Sequence, residues 1–222
     1  MVKFRLRLFP CEKLFPSTTL LCLFLFLAGC TNSYTVKVDS LSDFSASSNG
    51  PYWIEPGNPQ TSPNDLLFRE VARLLEPVFA ARGYAIAQSR SDARNIARVS
   101  YWESPPRTIV ETGTEYDYKT FVDWEGEAHQ VYVEEPTITS YTVYTANLRI
   151  EGYAGMDKNA VQIWRTSAST SSLTPDFRTM LARMIPALQG TLGTHTDGMR
   201  SFEIQLEDND KIRIEDTTDS YW

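Results

Sequence analysis

Two periods of alternation run through this chain, one of two residues and one of about 3.6, and together they predict an α+β fold. Tyr34 to Val38 alternates apolar and polar positions, with Val36 and Val38 on one face, which predicts a strand. Asp43 to Pro51 is rich in Ser, Asn and Gly and predicts a loop. Tyr52-Trp53-Ile54 predicts a short strand, and Pro56 to Pro63 is turn-rich. Ser62-Pro63-Asn64-Asp65 has the chemistry of a helix start: a capping hydroxyl, proline at the first position, an acid in the first turn. Leu67, Val71, Leu74, Leu75, Val78 and Phe79 follow at helical spacing, and Arg82-Gly83 is a stop. Pro77 falls inside this stripe and predicts a kink or an early end.

Tyr84 to Ala87 and Ile96 to Trp102 predict further strands, and Pro105-Pro106 predicts a break. Residues 108–133 read as an extended β excursion. Its outward limb carries Tyr116, Tyr118, Phe121 and Trp124 into Glu125-Gly126-Glu127, and Tyr132 lies on the return, Val131 to Val133. Thr139 to Tyr153 predicts a long strand that Val161 to Thr166 pairs across a turn at Gly155 to Asn159. Thr174-Pro175-Asp176 repeats the helix-start chemistry before the stripe Phe177, Leu181, Met184, Ile185, Leu188. Pro186 intrudes on that stripe, and Gly190 and Gly193 end it. Phe202, Ile204 and Leu206, then Asp208-Asn209-Asp210, then Ile212 and Ile214 predict a last hairpin, followed by a disordered Asp/Thr tail. The expected architecture is a mostly antiparallel sheet with two amphipathic helices on one face and an extended hairpin excursion.

The N-terminus follows a different logic. Lys3, Arg5, Arg7 and Lys13 form a basic region, Leu20 to Leu27 is apolar, and Ala28-Gly29 is a small-residue cleavage site before Cys30. Leu27-Ala28-Gly29-Cys30 resembles the lipobox of bacterial lipoproteins, in which a peptidase cuts before the cysteine and the new N-terminus is acylated. The apolar run is far shorter than the ~20 residues of a spanning helix. Acyl chains on Cys30 would then anchor the protein, since stable anchoring takes more than one chain. Thr31, where an aspartate would retain the protein at the inner membrane, implies the outer membrane of a Gram-negative cell. The expected organisation is a signal peptide over 1–29, a lipidated tether over 30–33, an α+β domain over 34–197, and a C-terminal hairpin with an acidic tail over 198–222.

Composition then narrows the function. The formal net charge is −7. The signal removes four basic residues and Glu12, which takes the charge to about −10, a surface that repels nucleic acid and anionic headgroups. Cys11 and Cys22 leave with the signal and Cys30 takes lipid, so no cysteine remains for a disulfide. The mature domain must hold together by its core.

Several short stretches carry a family resemblance. They are Asp43-Phe44-Ser45, Arg82-Gly83-Tyr84, Val99-Ser100-Tyr101, Leu148-Arg149-Ile150 and Val161-Gln162-Ile163-Trp164-Arg165-Thr166. Over residues 34–190 the chain resembles the bacterial lipoproteins grouped as domain of unknown function 4136. It departs from them at Ser47 to Gly50, in the length of the excursion at 105–140, and in the hairpin after 198. The resemblance implies an envelope lipoprotein with an α+β fold, and it carries no catalytic residues.

Catalytic chemistry is sparse. The two histidines are His129, at the excursion tip beside Glu125 and Glu127, and His195, in Thr194-His195-Thr196-Asp197. A hydrolase would need one of them, and a metal site at His129 lacks a second histidine or a cysteine. A solvated loop histidine is the plainer reading of His195. Asp208-Asn209-Asp210 lacks the glycine and distal glutamate of a calcium loop. Glu134 and Glu135 point to opposite faces of a strand and cannot flank one bond. No phosphate loop, nucleophile elbow or dinucleotide turn is present, so the expectation is a non-enzyme without cofactor.

The remaining signal is aromatic. Tyr101, Trp102, Tyr116, Tyr118, Phe121, Trp124, Tyr132, Tyr141 and Tyr144 fall within 44 residues. They are either a binding face for a protein partner or a glycan, or ordinary cross-strand and core packing. Exposure of Tyr116, Tyr118 and Trp124 would favour the binding face, of which Tyr116, Tyr118, Phe121, Trp124 and Tyr132 are the candidate residues. The expectation is an envelope accessory or interaction module facing the periplasm, held by acyl chains near a protein partner; the alternative is a module that binds a glycan or small ligand.

Overall fold

The computed structural model describes residues 33–43, 50–206 and 212–218. Seven strands and two helices follow the chain as β1 (Ser33–Ser42), β2 (Tyr52–Pro56), α1 (Leu66–Ala81), β3 (Asn95–Val122), β4 (Ala128–Ala154), β5 (Val161–Ser172), α2 (Phe177–Thr191), β6 (Arg200–Leu206) and β7 (Ile212–Asp216). One sheet holds all seven strands in the order β2-β3-β4-β5-β1-β6-β7. The α+β class stands, but the sheet is mixed. β2 and β3 run parallel, because α1 is the crossover between them, and the other five pairings are antiparallel.

The core follows the strand periods. Val36 and Val38 on β1, Ala97 and Val99 on β3, Ala146, Leu148 and Ile150 on β4, and Phe202 and Ile204 on β6 are all buried. Their alternate neighbours, such as Thr35, Lys37, Arg98 and Asn147, are not. β6 is therefore an integral strand, paired along β1 from Ser33↔Gln205 to Val38↔Arg200. Directly after β7 the Thr217 N–H donates to the Ser201 carbonyl at 2.8 Å, and the rest of the expected tail, 219–222, lies outside the described residues. The Asp208-Asn209-Asp210 turn lies outside the described residues, as do Phe44 to Asn49 of the predicted loop and the whole N-terminal segment through Asn32.

Both helices start later than their proline motifs predict. Asp65 caps α1 by accepting from the Phe68 N–H at 3.0 Å, and Asp176 caps α2 by accepting from the Thr179 N–H at 3.1 Å. A carboxylate at that position takes the cap, so Ser62-Pro63 and Thr174-Pro175 precede the helices. Pro77 and Pro186 lie inside their helices and do not end them early. The carbonyls they leave without a helix donor belong to Arg73 and Ala182, both on exposed positions. Val78, Phe79, Ala187 and Leu188, all buried, then hold each final turn against the core.

Two other expectations are corrected. Tyr84 to Ala87 is no strand but touches β2 at a single bridge, Tyr52↔Ile86. Pro105-Pro106 does not break the chain. β3 runs through it as one strand of 28 residues, with a register shift between Ser104 and Arg107 absorbing the missing donors. The separate strands predicted before and after residue 138 are likewise one strand, β4, of 27 residues.

An aromatic cluster locks the sheet to α1. Tyr52, Phe79, Tyr84 and Trp164 have ring centroids 5.3–6.2 Å apart. The Trp164 Nε1–H donates to the buried Tyr52 hydroxyl at 3.0 Å. Gly152, on the neighbouring strand, is the floor beneath that indole: a Cβ there would stand 2.0 Å from Trp164 Cε2. Gly152→Ala is expected to destabilise the domain by about 1–3 kcal/mol through overpacking. A denaturant midpoint equal to that of the parent would refute this.

A projecting ribbon as candidate docking surface

Beyond the sheet, β3 and β4 continue alone. The β5 ladder stops at Tyr144↔Ser172 and the β2 ladder at Pro56↔Val99. From Arg107↔Val143 to Val122↔Ala128 the two strands pair only with each other among the described residues. Sixteen residues a side at ~3.3 Å each make a ribbon about 50 Å long.

The turn at its end is built by Asp123. Its carboxylate accepts the backbone N–H groups of Glu125 and Glu127, both at 2.9 Å, and pairs with His129 Nε2 at 2.7 Å. Gly126 supplies the positive φ, 89°, that closes the turn. The His129 contact, then the backbone donors of Glu127, Glu125 and Gly126, hold the Asp123 carboxyl below the usual carboxylate range. A depressed folded pKa stabilises above the unfolded value and is lost as pH falls through the folded one. The amides of Glu125 and Glu127 should therefore lose protection only below the ordinary carboxylate range, on titration from about pH 6 to about pH 2. Hydrogen exchange at the tip that is flat across that range would contradict this.

Of the five predicted surface residues, the ribbon brings three together. Tyr116 and Tyr132 stack with centroids 5.1 Å apart and planes 7° apart, and Tyr118 leans on Tyr132 at 5.0 Å. All three are exposed, between 53% and 66%. Trp124 stands apart in the tip turn and is 91% exposed. Phe121 lies on the opposite face, 5.7 Å from the His129 ring. The other aromatics divide. Tyr101 and Tyr144 pack against the core, Tyr141 donates to Glu111, and Trp102 lies under Arg149 with 5.3 Å from guanidinium to ring.

The two faces of the ribbon differ in charge. Even-numbered strand positions from Thr108 to Thr142 carry mainly Thr, Tyr, Val and Ile, with Ala128, Gln130, Pro136 and Ser140 and one charged residue, Glu134. Odd-numbered positions carry Arg107, Glu111, Glu115, Asp117, Lys119 and Glu135, with Lys119 paired to Glu135. Glu134 and Glu135 thus lie on opposite faces, as their adjacency predicts.

A second feature lies at the foot of the ribbon, where sequence reasoning placed nothing. A groove of about 810 Å³ is lined by Thr35, Lys37, Arg107, Thr145, Ser169, Thr170, Ser171, Met199, Ser201 and Thr218. Hydroxyl groups dominate it, with two cations and no carboxylate. The run Thr166-Ser167-Ala168-Ser169-Thr170-Ser171-Ser172 on β5 was its visible sign in the sequence.

The histidines are divided between tip and loop. His129 holds the tip, and His195 is exposed beside the buried Thr196. Thr196 belongs to a polar network with Ser40: the Thr196 N–H donates to the Ser40 carbonyl at 2.8 Å, and Ser40 Oγ donates to the Thr194 carbonyl at 2.8 Å. Among the described residues no three His, Cys, Asp or Glu side chains gather as a metal site. No helix among them is long and apolar enough to cross a membrane.

No family model and no curated protein matches the chain. Among solved structures it is similar to a PDZ domain protein from Parabacteroides distasonis, at 10% identity and a TM-score of 0.40, over 83% of this chain and 42% of that one. The chain thus spans less than half of that protein. It is also similar to the PelC dodecamer from Paraburkholderia phytofirmans, at 14% identity and a TM-score of 0.36, over 72% of this chain and 99% of that one. Overlaps this loose define no shared site.

Proposed function

We propose that this protein is a non-enzymatic lipoprotein of the bacterial outer membrane, anchored through acyl chains on Cys30, that faces the periplasm and docks an envelope protein partner with its ribbon. The resemblance to domain of unknown function 4136 belongs to this reading. So does the placement of both helices on the face that carries Val36, Leu148 and Ile150, which their contribution to one core cluster favours. The observation that carries the functional reading is the exposed tyrosine stack of Tyr116, Tyr118 and Tyr132, with Trp124 beyond it. Aromatic side chains supply rigid contact area at low entropy cost, and soluble proteins seldom leave them clustered in water without use. Tethering at the membrane raises the effective concentration of that surface for partners held there.

Anchoring is tested separately from docking. Cys30→Ala should accumulate as an unprocessed, unacylated precursor in fractionated cells, detected as a mass increase of the signal peptide and loss of the acyl mass. Normal processing and membrane retention of that variant would overturn the lipid anchor.

A glycan or small ligand is the second reading, and the hydroxyl-lined groove favours it. Trp102 lies on the same face of the sheet, paired with Asn147 two positions from Thr145. Saturable quenching of Trp102 by a glycan, lost in Lys37→Ala, would establish that reading; no quenching would remove it.

A further inference from the structure

The ribbon leaves two strand edges open, and they match. The free edge of β3 runs from residue 107 to 122 and the free edge of β4 from 128 to 143, so each is 16 residues long. A two-stranded ribbon alone in water is marginal, and a long open edge is a template for another strand. Proline sets which backbone groups point outward. Pro136 pairs with Thr114 inside the ladder yet has no N–H, so position 136 turns its nitrogen away from β3. The alternation of an antiparallel ladder then turns the even-numbered residues of both strands outward. On β3 these are Thr108, Val110, Thr112, Thr114, Tyr116, Tyr118, Thr120 and Val122, an edge without a proline.

We propose that copies of this chain join through their ribbons, the β3 edge of one pairing antiparallel with the β4 edge of the next. Three observations select a second copy as the occupant. Every copy carries both edges, of equal length and opposite direction, so the surface is complementary to itself except at Pro136, where the β4 edge lacks one donor. The addition keeps every even-numbered face on one side of the growing sheet, which gives a nearly uncharged Thr/Tyr face and a charged face with Glu111, Glu115, Asp117 and Glu135. The contact is head to tail, and closing it into a ring leaves no edge unpaired, the same solution by which β-barrels remove theirs. This inference rests on the ribbon as the docking element but commits it to a partner of the same sequence.

The test uses proline at outward positions. Thr112→Pro with Thr120→Pro removes two donors from the open edge and none from the ladder within the chain, as Pro136 already does on the other strand. The full-length acylated protein is purified in detergent and its mass read by sedimentation at several detergent-to-protein ratios, beside the proline variant. The expected result is an oligomer for the parent and association weakened about tenfold or more in the variant, at an unchanged thermal midpoint. Hydrogen exchange gives an independent readout: the even-numbered amides of 108–122 are protected in the oligomer, and those residues exchange fast when it dissociates. A parent protein that is monomeric throughout, or a variant of the same mass as the parent, overturns the proposal. So do even-numbered amides that exchange fast under assembling conditions. A monomeric parent that still captures a different envelope protein through Tyr116, Tyr118 and Trp124 overturns self-pairing and leaves the docking function standing.

Discussion

Trp164→Ala is expected to lower unfolding stability by about 3–5 kcal/mol, the range for truncating a fully buried large aromatic. Trp164 is 3% exposed and lies within 6.2 Å, centroid to centroid, of Phe79, Tyr84 and Tyr52. Its loss opens a cavity between α1 and the sheet and leaves the Tyr52 hydroxyl, at 0% residue exposure, without its donor. For a domain of this size the melting temperature should fall by roughly 10 °C or more. Trp164→Phe keeps much of the volume and should cost less than the alanine. A Trp164→Ala midpoint within a degree or two of the parent would show that the cluster does not hold the helix layer in place.

That cluster also shows where sequence reasoning stops. The alternation at Val36 and Val38 and the stripe through Val71, Leu75, Val78 and Phe79 are legible, because each period is local. The union of Tyr52 with Trp164 spans 112 positions and leaves no periodic sign. Gly152 falls within the predicted strand Thr139 to Tyr153, and nothing local shows its role until the indole above it is seen. The parallel pairing of β2 with β3 was hidden in the same way, since a five-residue strand does not declare its direction. Pro105-Pro106 is a strong local breaker, and it split in the reading what the ladder joins. An edge position pays nothing for a missing N–H, and only the pairing shows that β3 is at an edge there. The candidate surface was legible as a concentration of aromatics, but its division was not. Tyr116, Tyr118 and Tyr132 share a face, while Phe121 differs from them in parity across the ribbon. Lys37 and Arg107, both in the groove, lie 70 positions apart and had no motif to join them.

The second large effect is expected on the ribbon. Tyr116→Ala, Tyr118→Ala and Trp124→Ala together should abolish partner capture while leaving the domain folded. Interface energy concentrates in a few aromatic anchors, each worth about 2 kcal/mol or more when truncated, so losing three weakens binding by roughly four orders of magnitude. The fold is insulated from the change because all three side chains are exposed and none belongs to the core cluster. The Asp123 turn is untouched by the substitutions, so the tip keeps its hydrogen bonds. A circular dichroism melt superimposable on that of the parent is the expected control. A large drop in melting temperature would mean that the stack stabilises the ribbon chiefly from within, as the packing interpretation of these aromatics requires.

The most direct measurement places a photocrosslinking residue at Trp124, at Tyr116 and, as a control, at the exposed Lys158 in the turn between β4 and β5, and irradiates intact cells. A discrete, reproducible adduct is expected from the two ribbon positions, with another envelope protein or a second copy of this chain, and none from Lys158. Adducts that are absent from the ribbon, or equal at all three positions, would contradict docking through the ribbon.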